Sequence, residues 1–186
     1  MTQTDYFNFL VTRLRRFFNI HYKKTLSDVT FDIYGAFHQR NARYLVTKEL
    51  EFYAFENNEY LLYKDHGEER ITTETLGRYR ELLAENYQEI IKTDEDHMES
   101  IIILLLTSTA PIEPRVARMV RRFRFHKSFK FGFGGWVNAK LLIYNPETGE
   151  YFGNKYGRRL EANFIPGLKE GKQVKKGIIQ RLKIKK

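Results

Sequence analysis

The sequence predicts an α+β fold: antiparallel sheet strands and three helices around one core. Three observations carry that expectation. Apolar residues recur at three and four over residues 5–20, over 73–91 and after Pro111 and Pro114. They alternate by two in runs between 29 and 65 and again after 121. Asn145-Pro-Glu-Thr-Gly-Glu150 has the turn chemistry of a hairpin, proline presetting φ and Gly149 supplying a left-handed residue.

Taken in order, Phe7, Leu10, Val11, Leu14, Phe17 and Phe18 form the apolar side of the first helix, and Thr4 with Asp5 starts it. Runs at 29–38, 43–56 and 59–65 then read as a three-stranded antiparallel meander, with Asn57-Asn58 suited to a tight turn. Leu76, Tyr79, Leu82, Leu83, Tyr87, Ile90 and Ile91 mark the second helix, with Glu74 in its first turn. Ile101 to Leu106 contains no polar residue and suits a central strand covered on both faces. Pro111 and Pro114 open a third helix with Val116, Met119, Val120 and Phe123 facing inward. From Arg121 to Val137, phenylalanines at 123, 125, 129, 131 and 133 fall on one side, with Arg122, Arg124, His126, Ser128 and Lys130 on the other. A strand with an apolar and a basic face is expected there.

With 186 residues, 42% of them hydrophobic, the chain is expected to form a single compact domain over 1–168 followed by a basic tail over 169–186. The tail holds eight Lys or Arg against Glu170, a net of +7, so the preceding residues, with 24 basic and 22 acidic side chains, are close to neutral. The absence of cysteine excludes disulfides, thiolate metal sites and a cysteine nucleophile. No apolar run reaches membrane length and no leader pattern opens the chain, so a soluble cytoplasmic protein is expected.

The two halves also resemble each other. Arg15-Arg16-Phe17 matches Arg121-Arg122-Phe123, Asn41 to Val46 matches Asn138 to Ile143, and Glu59-Tyr60 matches Glu150-Tyr151. Two related helix-plus-meander halves around one core are one reading, and chance matching at this length is the other.

The segments FKFGFGGWVNAKLLIY, FYAFENNEYLLYK and NKYGR together resemble an uncharacterised family of bacterial proteins, a domain of unknown function, over roughly residues 5–165. The resemblance implies a bacterial, soluble, self-contained domain. It brings no activity, ligand or catalytic residue with it.

Arginines supply the sharpest functional signal. Arg115, Arg118 and Arg122 fall on one side of the third helix, and only Glu113 is near enough in sequence to pair with them. Guanidiniums without local partners seek phosphate, carboxylate or an aromatic face, although acids elsewhere in the fold or across a dimer would serve equally. Arg13 and Arg16 repeat the feature on the first helix, and Arg124, His126, Lys127 and Lys130 extend it along the strand. The expected function is non-enzymatic binding of an anionic partner, nucleic acid or another polyanion. Arg115, Arg118, Arg122, Lys127 and Lys130 would contact phosphates, and Lys172, Lys175, Lys176, Arg181 and Lys183 of the tail would add salt-sensitive affinity.

Other readings stay open. Val174, Ile178, Ile179 and Leu182 could line one face of an amphipathic tail helix on an anionic membrane surface or a partner, or the tail could be a disordered solubilising extension. A homo-oligomer joined through aromatic faces is the alternative from another class. An enzyme is the third, with Asp94, Asp96 and His97 the residues able to hold Mg²⁺. No cofactor is expected. Gly132-Phe-Gly-Gly lacks the lysine and hydroxyl of a phosphate loop, KFGFGGWV departs from the RNA-recognition strand pattern, and no paired carboxylates with a nearby lysine suit a metal-dependent nuclease.

Overall fold

The computed structural model describes residues 1–37, 58–91, 99–128 and 135–168. In chain order the elements are α1 (Gln3–Leu14), β1 (Asn19–Leu26), β2 (Val29–Phe37), β3 (Asn58–Asp65), α2 (Thr73–Ile90), β4 (Glu99–Thr107), α3 (Pro114–Arg122), β5 (His126–Ser128), β6 (Trp136–Tyr144), β7 (Tyr151–Gly153), a 3-10 turn (Gly157–Leu160) and α4 (Glu161–Phe164). The α+β class holds, but the expected antiparallel sheet with three helices does not. Among the described residues there are four helices and one mixed seven-stranded sheet, ordered β1-β2-β3-β4-β6-β5 with β7 also on β6. β3 runs parallel to β4, and β4 parallel to β6.

The parallel centre follows from β4. Ile102, Leu104 and Leu106 enter one apolar cluster, with α2 and α3, while Ile101, Ile103 and Leu105 enter the other, with α1 and α4. A strand apolar on both faces has to be covered on both. The crossover that a parallel neighbour requires is long enough to hold a helix, and α2 occupies it between β3 and β4. The expected central strand at 101–106 is therefore found, with partners that local sequence does not specify.

Helix starts follow their caps. Thr2 Oγ1 accepts from the Asp5 amide at 3.1 Å, and the Asp5 carboxylate accepts from the Thr2 amide at 3.2 Å. Thr72 caps α2 in the same way, its hydroxyl accepting from the Thr75 amide at 3.2 Å. Pro114 takes the first position of α3, where a missing N–H costs nothing. The expected first helix over 5–20 is corrected at both ends. It begins at Gln3 and stops at Leu14, and from Asn19 the chain is already strand.

The meander is also reassigned. It consists of β1, β2 and β3; the expected middle run 43–56 lies outside the described residues. The strand expected across 121–137 divides. Arg121 and Arg122 close α3, β5 covers only His126–Ser128, Trp136 begins β6, and 129–134 lie outside the described residues. Phe123 and Phe125 are buried as core. Two equivalent helix-plus-meander halves are not reproduced, because β1 and β3 flank β2 whereas β5 and β7 share one edge of β6. The hairpin at 145–150 is present: Asn145 N–H donates to the Glu150 carbonyl at 2.8 Å, and Gly149 sits at φ +74.

One ion pair crosses the α1 side of the sheet. Lys140 Nζ lies 3.2 Å from Glu59 Oε1, with Glu59 fully buried. Removing one partner strands the other charge, which costs about 3–5 kcal/mol. Lys140→Met should therefore unfold at markedly lower urea than the parent, and adding Glu59→Gln should recover part of the loss. Equal urea midpoints for the single and double variants would show that the charge pair is not what the site depends on.

Candidate functional site

Three residues of α3, Val116, Ala117 and Val120, are buried against the sheet and α2. That fixes the rotation of the helix. Arg115, Arg118 and Arg122 are then all exposed on its outer side, as the sequence spacing predicts. Glu113, the acid nearest to them in sequence, is engaged by Arg70 at 3.2 Å. Among the described residues no ion pair involves Arg115, Arg118 or Arg122. Arg121 turns the other way, its guanidinium 5.0 Å from the centre of the Phe152 ring.

The basic character continues past the helix. Arg124 and Lys127 are exposed, and His126 Nδ1 lies 2.9 Å from Asn138 Oδ1 across the β5–β6 ladder. Between Pro114 and Ser128 the chain has six Lys or Arg and no acid. Lys130 and the tail residues Lys172, Lys175, Lys176, Arg181 and Lys183 lie outside the described residues, as do Asp94, Asp96 and His97. On α1 the guanidinium of Arg13 lies 5.2 Å from the Phe9 ring centre, and Arg15 reaches the Tyr22 hydroxyl at 3.4 Å. Arg16 is exposed but lies in the turn beyond the end of α1, so the expected Arg13–Arg16 row does not fall on one helix.

Beside the end of α3 is the turn formed by NKYGR, whose residues carry no motif of their own. Asn154 is fully buried and saturated. Its Oδ1 accepts from the amides of Leu141 (3.1 Å) and Gly157 (2.6 Å), and its Nδ2 donates to the carbonyls of Phe123 (3.3 Å) and Ala139 (3.0 Å). One amide thus joins the C-terminus of α3, the edge of β6 and the turn that follows β7. A Cβ on Gly157 would meet the Leu141 carbonyl oxygen at 2.4 Å, so only glycine fits. The turn presents Lys155 and Tyr156 outward, with Lys155 Nζ 6.0 Å from the tyrosine ring centre.

A second polar cluster sits where β2 begins and β3 ends, and no motif marks it in the sequence. Asp32 accepts from Lys23 Nζ at 2.5 Å and from the Asp65 amide at 2.9 Å, with Lys64 Nζ at 3.9 Å. Burial pushes the Asp32 pKa up, but those cations and the amide outweigh it and hold the carboxyl below its ordinary value. Asp65 Oδ1 accepts from Thr107, Gly67 and Gln3 at 3.0, 3.1 and 3.3 Å. A carboxylate of β2 and lysines of β1 and β3 thus meet on neighbouring strands. Their mutual satisfaction gives a structural network, and among the described residues no group of His, Asp and Glu could hold a metal ion.

Next to it is a cavity of about 330 Å³ whose lining includes His66, Tyr79, Arg70, Arg78 and Val29. His66 Nε2 lies 3.0 Å from the Tyr79 hydroxyl. Burial and the charge of Lys64 lower the His66 pKa, against the opposing carboxylates of Glu69, Asp65 and Asp32. Arg70 and Arg78 are already paired, with Glu113 and Asp28. The cavity therefore combines the His66 imidazole and two paired arginines with the carboxylates of Glu69 and Glu74.

Among the described residues no helix is long and apolar enough to cross a membrane. Residues 2–166 match a family described as Domain of unknown function (DUF8052), which leaves the lysine-rich end outside. No curated protein and no solved structure matches the chain.

Two consequences can be measured. Gly157→Ala should lower stability by about 1–3 kcal/mol, because the turn has to move away from β6; an unchanged urea midpoint would contradict the close packing. For His66, a folded pKa below the unfolded value means stability that is present above about pH 6.5 and is lost as the pH falls toward the folded value. Glu161 acts with the opposite sign, since burial raises its pKa to about 7 against Arg158 and Tyr151. The readout is therefore the difference in Tm between the parent and His66→Gln, which should shrink as the pH falls from 8 to about 5.

Proposed function

We propose, on the premise that this chain belongs to the DUF8052 family of unknown function, that it is a non-enzymatic binding protein whose α3–β5 face docks an anionic partner, nucleic acid before other polyanions. The observation that carries this reading is the exposure of Arg115, Arg118 and Arg122 on one side of α3, with the acid nearest to them in sequence paired elsewhere. Three guanidiniums on one helix face resemble a phosphate-contacting row more than a structural network. Lys127 follows on the sheet edge on the face that α3 covers, and Arg124, between the buried Phe123 and Phe125, lies on the opposite face. The tail lysines would add affinity without sequence selection. A bacterial, cytoplasmic setting belongs to the same reading.

The homo-oligomer reading gains less support. Phe123 and Phe125, which it would place at an interface, are buried in the core under α2 and α3.

Fluorescence anisotropy with labelled RNA and DNA across a salt series tests the proposal. The parent chain should lose affinity steeply as salt rises. Replacing Arg115, Arg118 and Arg122 together by alanine should weaken binding to every sequence and flatten the log–log salt slope by about 2 to 3 units, with the urea midpoint preserved. A folded triple variant that binds as the parent does would refute the site.

A further inference from the structure

The outer edge of β6 is divided among three segments. β5 pairs with Trp136–Asn138, the backbone of Asn154 bonds to Leu141, and β7 pairs with Leu142–Tyr144. Single exposed aromatic residues are ordinary on a protein surface. Here, however, only Met1, Tyr22, Trp136 and Tyr156 are large hydrophobic residues exposed among those described, and two of the four belong to this edge. Trp136 is 38% exposed beside Ser128 at the end of β5; Tyr156 is 49% exposed two residues beyond the point where Asn154 joins Leu141. Five residues of strand separate the two anchor points, about 17 Å. Between them on the same edge are Lys127, His126 and Arg124, all exposed.

We propose that Trp136 and Tyr156 are base-stacking anchors, and that the partner of the basic face is single-stranded nucleic acid laid across the segments that border the outer edge of β6. The inference rests on the functional reading above and adds the class of nucleic acid. A basic groove with aromatic rings at intervals holds an unpaired strand, because every base offers a π-face, whereas the bases of a duplex are already stacked on one another. Tyr156 is suited to the task because its turn is pinned by the buried Asn154 amide and by Gly157, so little ordering remains to be done on binding. Lys155 beside the ring supplies a cation where the backbone would pass. At the other end Glu99 stands in register with Trp136 on β4 and accepts from Asn138 Nδ2 at 3.4 Å. A carboxylate there disfavours a phosphate and leaves the indole to a base.

Trp136 is the only tryptophan in the chain, so its fluorescence reports this one position. The full chain is titrated with oligouridylate, with oligothymidylate and with a duplex of equal length. Anisotropy of the labelled oligonucleotide and indole emission are followed together. Single strands should quench the indole and bind more tightly than the duplex. Trp136→Ala with Tyr156→Ala should cost about tenfold per ring on single strands and little on the duplex. Phenylalanine at both positions should restore most of the loss. Equal quenching by the two single strands extends the proposal to RNA and DNA alike; quenching by one alone confines it to that one. If binding depends on Arg115, Arg118 and Arg122 but the indole is not quenched and the alanine pair changes nothing, the stacking inference fails while the anionic face stands. If the arginine variant binds normally, the functional reading itself is wrong.

Discussion

The fold depends on a single strand that is apolar on both faces. Ile101 to Leu106 cannot rest against solvent on either side, so both sides of the sheet have to carry helices. Covering each of these side chains contributes roughly 1.5–3 kcal/mol. That demand turns α2 and α3 into crossover helices with one side committed to the core. For α3 the commitment has a direct consequence: once Val116, Ala117 and Val120 face inward, Arg115, Arg118 and Arg122 can only face out. The candidate binding face is the geometric complement of the core.

A buried amide organises the other half of that face. Asn154 ends β7, closes the C-terminus of α3 through the Phe123 carbonyl and fixes the turn that carries Tyr156. Its four side-chain hydrogen bonds use its full capacity, two accepted and two donated. Satisfied polar groups of this kind determine a unique local structure, because any shift in one partner leaves another group dry and unpaired. The helix, the strand edge and the exposed tyrosine are therefore held in one relation to each other.

How much of this could be read from the sequence depended on whether the signal was local. α2 was legible within a residue or two because seven apolar positions repeat along it, and the start of α3 because proline marks it. The hairpin at Asn145 followed from its turn residues. The parallel pairings were not legible, since β3, β4 and β6 find each other through side chains far apart in sequence. β1 was missed because it is the outer strand: with both faces largely exposed, Asn19 to Leu26 has no alternation to detect. Arg115, Arg118 and Arg122 were found because helical spacing gathers them. Tyr156 was passed over because nothing in NKYGR alone reveals that its asparagine is a buried hub. Asp32, Lys23 and Lys64 come together only across the β-ladder.

The outer strand has one further property. Lys23 sits in the middle of β1 at φ +55, a left-handed conformation that a lysine adopts only where its surroundings hold it, here through the ion pair with Asp32. Its side of the ladder is interrupted at that point, and the register passes from Tyr22 to Lys24. At the opposite end of the sheet the described part of β5 spans three residues. A free strand edge is a template on which other chains can polymerise, and such edges are blunted by bends, lysines and shortness. With its β1 edge bent by a left-handed lysine, the described part of this sheet offers no straight template there for a neighbouring chain to copy.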